Sequence, residues 1–268
     1  MQGSSGDSLT RLTTDLDSAL TSGAGGAAVS QGLFGAADVL RDQPALRRAV
    51  TDPSSASDAR AGLAKSVFAS HLDPAATDLV STAASLRWAA SGDVANALDK
   101  LGVVALVKAA DAVGDGDRLE RELFTFASAV SENPALRDAL ADPARTVADK
   151  QALVRSLLDG KASAAATQLA SRSVGLGRPV VNVVNHYIAV AAEARNRAVA
   201  RVRVARPLAD GEQAKLADAL TVQAGRPVHL NVLVDPSVLG GIHVEIGDDV
   251  IDGTISSRLD DARRRLVG

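Results

Sequence analysis

A chain of 268 residues with 46% hydrophobic and 23% charged positions is ordinary globular material, too long for most single cores and sized for two or three domains. Its formal net charge of -3 argues against a dedicated nucleic-acid or anionic-lipid binder, and the lack of cysteine removes disulfides, thiolate metal sites and cysteine nucleophiles. An aromatic share of 2% leaves no stacking platform for single strands and obliges Ala, Leu and Val to build the core, which suits closely approaching helices. No run nears the ~18 apolar residues of a membrane span. The start, MQGSSGDSLTRL, has neither a signal-peptide core nor transit character, so a cytoplasmic chain is expected.

The first predicted helices cover about 8–21, 27–41, 44–51, 57–71 and 75–88. The run from Pro44 to Pro53, PALRRAVTDP, returns as PALRDALADP from Pro134 to Pro143, an offset of 90 (134 minus 44). At that offset Leu33-Phe34 meets Leu123-Phe124, Leu63 meets Leu153, Ser66 meets Ser156, Ala75-Ala76-Thr77 meets Ala165-Ala166-Thr167, and Leu79 meets Leu169. One offset kept without a gap marks a duplicated helical domain. In the second copy Asp117 with Glu120 forms a capping box opening a helix to about 132, and Pro134 opens a short helix ended by Asp142-Pro143. Further helices cover about 146–158, 162–176 and, after Gly177-Arg178-Pro179, 180–197. Between the copies, 93–113 reads as one helix, last of the first and first of the second. Its weak spot is Gly102, because an interior glycine costs ~1 kcal/mol.

Beyond the bundles, Ala200, Val202 and Val204 alternate with Arg201 and Arg203 as a strand with one apolar and one basic face. Asp210 with Gln213 is read as the cap of a helix carrying Leu216 and Leu220 and ended by Gly225. A strand at 228–234 follows, then a hairpin of 242–246 and 250–255, then a last helix begun by Ser256 or Ser257. With Asp248 and Asp249 as the central turn residues, Ile246 faces Ile251 and Glu245 faces Asp252. Opposed like charges are unfavourable in a ladder, so either a basic group lies between them or a bulge at Gly247 shifts the register.

Candidate chemistry is sparse. His71, His186, His229 and His243 show no metal spacing, and Glu245 with Asp252 has neither nucleophile nor cofactor motif beside it. The stretch DAVGDGDRLERE, from Asp111 to Glu122, loosely echoes a calcium loop, but an interhelical turn with a helix cap accounts for the same residues. No G-x-x-x-x-G-K-[ST] is present, so a P-loop is excluded. No catalytic, cofactor or metal residue is assigned, and neither nucleic acid nor a small-molecule substrate is expected.

The stretch 235–259, DPSVLGGIHVEIGDDVIDGTISSRL, carries Gly240, Gly241, Gly247, Asp248, Val250, Ile251, Asp252, Gly253 and Arg258. It resembles the C-terminal signature of the F-type ATP synthase delta subunit family, the mitochondrial oligomycin-sensitivity-conferring protein. The resemblance implies a mostly α chain: a family-type helical bundle at 102–197, a small α+β domain at 198–268, and an added bundle at 1–101 that looks like the extended actinobacterial form. Two tandem, duplicated bundles followed by a small α+β domain are therefore expected.

Functionally the resemblance implies a non-catalytic stator subunit. It would link the N-terminal helices of the alpha subunits to a b-type peripheral-stalk subunit at the cytoplasmic face of the bacterial membrane, with membrane association only through the complex. The family's alpha-binding groove carries over to 103–112 with 165–176 in copy two, and to 9–20 with 75–86 in copy one; copy two is the expected acceptor. Arg195, Arg197, Arg201 and Arg203 form a basic stretch suited to an acidic stalk helix. The rival readings are a helical adaptor unrelated to ATP synthase and a hydrolase using Glu245 and Asp252.

Overall fold

The computed structural model describes residues 3–195, 198–225, 228–235, 241–246 and 249–252. Its helical part runs α1 (Ser4–Thr21), α2 (Gly26–Asp42), α3 (Pro44–Thr51), α4 (Ser57–Phe68), α5 (Pro74–Ser85), α6 (Asp93–Ala112), α7 (Gly116–Glu132), α8 (Pro134–Ala141), α9 (Val147–Leu158), α10 (Ala164–Arg172) and α11 (Val180–Ala194). At the offset of 90, α2, α3 and α4 coincide with α7, α8 and α9 at both ends, and α5 with α10 at its start. The chain is mostly α with a small α+β region at its C-terminal end, as its sequence implies. No helix among the described residues is long and apolar enough to cross a membrane.

The shared helix is continuous. α6 passes unbroken through Gly102, and residues 101–107 are buried on every side because elements of both copies pack around them. Gly102 is a contact point: a Cβ there would lie 2.5 Å from the Phe34 ring. Glycine thus trades helix propensity for close approach of α2. The buried side chains of both copies form one contiguous apolar cluster.

Local chemistry sets the helix ends. Asn133, Thr146 and Ser163 accept from backbone N–H groups at the starts of α8, α9 and α10, and Asp73 does so for α5. Arg60, 6% exposed, donates to the carbonyls of Ala84, Ser85 and Leu86 and so closes the C-terminal end of α5.

The sheet comprises β1 (Ala198–Val204), β2 (Val228–Val234), β3 (Ile242–Ile246) and β4 (Asp249–Asp252) in the order β2-β1-β3-β4. β1 and β2 are parallel, joined through α12 (Asp210–Ala224), while β3 pairs antiparallel with both β1 and β4. Ala200, Val202, Val204 and Val244 pack with Leu220 of α12 in a second small core.

One open choice is decided in favour of a shifted register, and two local expectations are corrected. The hairpin pairs Ile246 with Asp249, Val244 with Ile251 and His243 with Asp252, leaving two residues between the strands. Glu245 therefore opposes Val250, and the like-charge pair never forms. The cap of α12 falls one residue earlier than expected, at Ala209, whose N–H donates to the Glu212 carboxylate. Glu212 is also held by Arg206 at 2.7 Å; the hydrogen bonds from Arg206 and from the Ala209 N–H lower its pKa to about 2. Lastly, α7 starts at Gly116 with no side-chain cap, because Asp117 and Glu120 are engaged elsewhere. The expected final helix and Gly240, Gly247, Asp248, Gly253, Arg258 and Arg197 lie outside the described residues.

Candidate functional site

The residues singled out in the sequence separate into three places. Arg195 leaves the surface altogether: only 6% of its side chain is exposed, and it lies 2.8 Å from Asp111, 2.7 Å from Asp117 and 2.7 Å from Glu120. The acids that echoed a calcium loop therefore surround a guanidinium. Burial would push the Arg195 pKa down, but its hydrogen bonds to Glu120 and Asp117 outweigh that and raise it. Glu120 is fully buried, so this cluster ties the exit of α11 to the start of α7 and engages Arg195 within the chain.

Arg203 remains accessible. It stands on β1 with Glu245 3.8 Å away, and Glu245 is also 3.1 Å from the His243 ring. The register sets Arg201 opposite Glu245 across β1 and β3. Between this polar sheet face and helices α7 and α11 lies a cleft of about 330 Å³, lined among others by Phe124, Glu132, Asn185, Arg203 and Asn231. Of the family signature, Gly241 has φ 85°, which glycine alone adopts cheaply; Val250, Ile251 and Asp252 form β4.

A further cluster was not singled out in the sequence. Asp99, 8% exposed on α6, is 2.6 Å from Arg172 of α10 and 3.5 Å from Arg41 of α2, and accepts from the Tyr187 hydroxyl of α11. Arg172 also makes two hydrogen bonds to Asp38 of α2 and stacks 4.1 Å above the Phe34 ring. Burial raises the Tyr187 pKa first, and the Asp99 charge raises it further. The one acid in the helix run LDKLGVVALV, Asp99 beside Lys100, was the available signal, since a buried carboxylate needs partners. The network binds copy one to copy two along one edge. Beside it runs a cleft of about 810 Å³ between α2 and the α9–α10 pair.

This architecture offers helix edges, a polar sheet face and grooves, the equipment of a scaffold. The sequence profile of the family described as ATP synthase delta (OSCP) subunit matches residues 103–266. A protein named ATP synthase subunit delta from Nocardioides sp. is 47% identical over 269 residues, covering 100% of this chain and 98% of its own length. Proteins of the same name from Kineococcus radiotolerans and Streptomyces avermitilis are each 43% identical, covering 92% and 85% of this chain and 90% and 85% of their own lengths.

Proposed function

The chain belongs to the ATP synthase delta (OSCP) subunit family, and on that premise we propose that it is a non-catalytic stator subunit that ties alpha subunits of the catalytic head to a b-type peripheral stalk. It works at the cytoplasmic face of the membrane, held there through the complex. The observation that carries this reading is end-to-end correspondence with a relative named as that subunit. A shared helix, one continuous core and an ion-paired junction support it physically, because a torque-bearing link has to resist bending between its parts.

The acceptor of an alpha N-terminal helix is better placed on copy one than on copy two. In copy two the first groove helix is α6, buried through 101–107, and α2 lies against it with Asp38 clamped to Arg172 of α10. In copy one the first groove helix, α1, keeps Leu9 and Leu20 only partly buried, where their copy-two counterparts Asp99 and Ala110 are buried. The polar sheet face with Arg203 is the dock for an acidic stalk helix, and its binding should weaken steeply with salt.

A labelled peptide of the alpha N-terminus, titrated against the full-length chain, tests the assignment. Leu20→Arg should abolish binding while Gln168→Arg leaves it intact. Loss in Gln168→Arg alone would return the acceptor to copy two, and no binding to the wild-type chain would overturn the head linkage.

A further inference from the structure

Where α1, α6 and the start of α11 meet, a pocket of about 360 Å³ is lined by Arg41, Asp99, Lys100, Arg178, His186 and Tyr187. It touches the α1–α5 edge only through Leu9 and is separate from the sheet face. Its volume lies near the small end of ligand pockets, so it suits a compact molecule and no folded segment.

The charges around it do not balance. Arg41 and Arg172 share Asp38 and Asp99, and Lys100 holds Glu193 at 2.8 Å. With Arg178 that makes four permanent cations against three carboxylates. Arg178, exposed at the mouth, has no ion-pair partner among the described residues and is the surplus charge. His186 on α11 is the second potential cation. Its pKa is held below the ordinary value by desolvation first, then by Lys100 and Arg178, while Asp99 and Glu193 pull the other way. Once His186 is protonated, two positive charges stand unmatched around one small cavity.

We propose that this pocket binds a small free polyanion of the phosphate class, of the size of diphosphate, held by Arg178 and Lys100, with His186 taking a proton from solvent as the anion enters. Arg178 offers the fork geometry that oxyanions prefer, and Lys100 a mobile point charge whose other partner, Glu193, is exposed and easily displaced. Binding and proton uptake are linked, because the incoming charge removes the repulsion that keeps His186 neutral.

Inorganic diphosphate titrated into the full-length chain provides the test, by calorimetry in two buffers of different ionisation heat and by NMR of the His186 ring. Binding should draw protons from the buffer above the free His186 pKa, and the His186 titration midpoint should move upward when diphosphate is present. Arg178→Gln, a change at an exposed position with no ion-pair partner among the described residues, should weaken binding about tenfold, the share of one charge-assisted contact. His186→Gln should erase the proton uptake. Arg121→Gln, an exposed cation on α7, should change neither readout. No heat of binding, an unmoved His186 midpoint, or equal loss in Arg178→Gln and Arg121→Gln would each overturn the site.

Discussion

The two copies of the bundle answer the same packing problem differently at one address. Gly26 of α2 lies close under α6, where an added Cβ would come 2.9 Å from the Ala105 carbonyl oxygen and the Ala109 Cβ. Ninety residues on, Gly116 of α7 lies under Arg195, and the same addition would meet Asp111 and the Arg195 guanidinium. Around Arg195 stand Asp111, Asp117 and Glu120; at the offset of 90 their copy-one counterparts are Thr21, Ala27 and Ser30, and that of Arg195 is Ala105. Where the last helix of a copy continues into the next bundle, small neutral residues suffice. Where the chain leaves the bundle for the sheet, a buried arginine and three acids clamp the exit. Duplication repeated the backbone, and the charges mark where the repeat stops.

The largest expected effect comes from breaking the clamp. Arg195→Ala leaves Glu120 buried without its cation and should cost about 3–5 kcal/mol in denaturant unfolding. Installing copy one's set whole, with Asp111→Thr, Asp117→Ala and Glu120→Ser added to Arg195→Ala, should restore most of that loss. Buried ion clusters are often replaceable by uncharged packing when every member goes together. If the fourfold variant stays as unstable as the single one, the comparison of the two addresses fails.

An intermediate effect is expected at Gly102, whose counterpart in the last helix of copy two is Ala192, itself 2% exposed. Gly102→Ala gains helix propensity of about 1 kcal/mol but drives a methyl into the Phe34 ring, over which Arg172 is stacked. Overpacking should win, with a net loss of about 1–2 kcal/mol. Phe34→Leu in the Gly102→Ala background should relieve part of it, which chemical denaturation of the two variants would read.

Much of this was legible in the sequence, because a repeat at fixed offset carries helix bounds from one copy to the other and the apolar run of 101–107 has no polar residue to interrupt it. Long-range pairings were not legible. Arg195 and Glu120 are 75 residues apart, so an arginine beside a basic stretch read as surface, and two acids read as a capping box. The hairpin register turned on which two residues lie between the strands, and the sequence GDD allows two choices that shift every pairing by two residues. Asp99 shows the same limit: its place just before the apolar run signals a partner, yet its partners sit on α2, α10 and α11.

The smallest effect concerns the paired starts of α4 and α9. Thr146 caps α9 by accepting from the Asp149 N–H at 3.1 Å while donating to the Asp149 carboxylate at 2.7 Å. Its counterpart Ala56 has nearly the same backbone, φ -61° and ψ 142° against φ -68° and ψ 156°, but no side-chain oxygen to offer. Thr146→Ala should therefore cost about 1 kcal/mol, and Ala56→Thr should add a smaller amount, since Ala59 stands where Asp149 does and leaves the new hydroxyl no carboxylate to donate to. Adding Ala59→Asp should bring the gain at α4 close to the loss at α9, because the new carboxylate completes the pair seen at α9 and also favours the helix N-terminus. Thermal unfolding of the three variants reads this directly. Equal gains with and without the Ala59→Asp change would mean that the two starts are not equivalent, despite sharing an offset and a backbone.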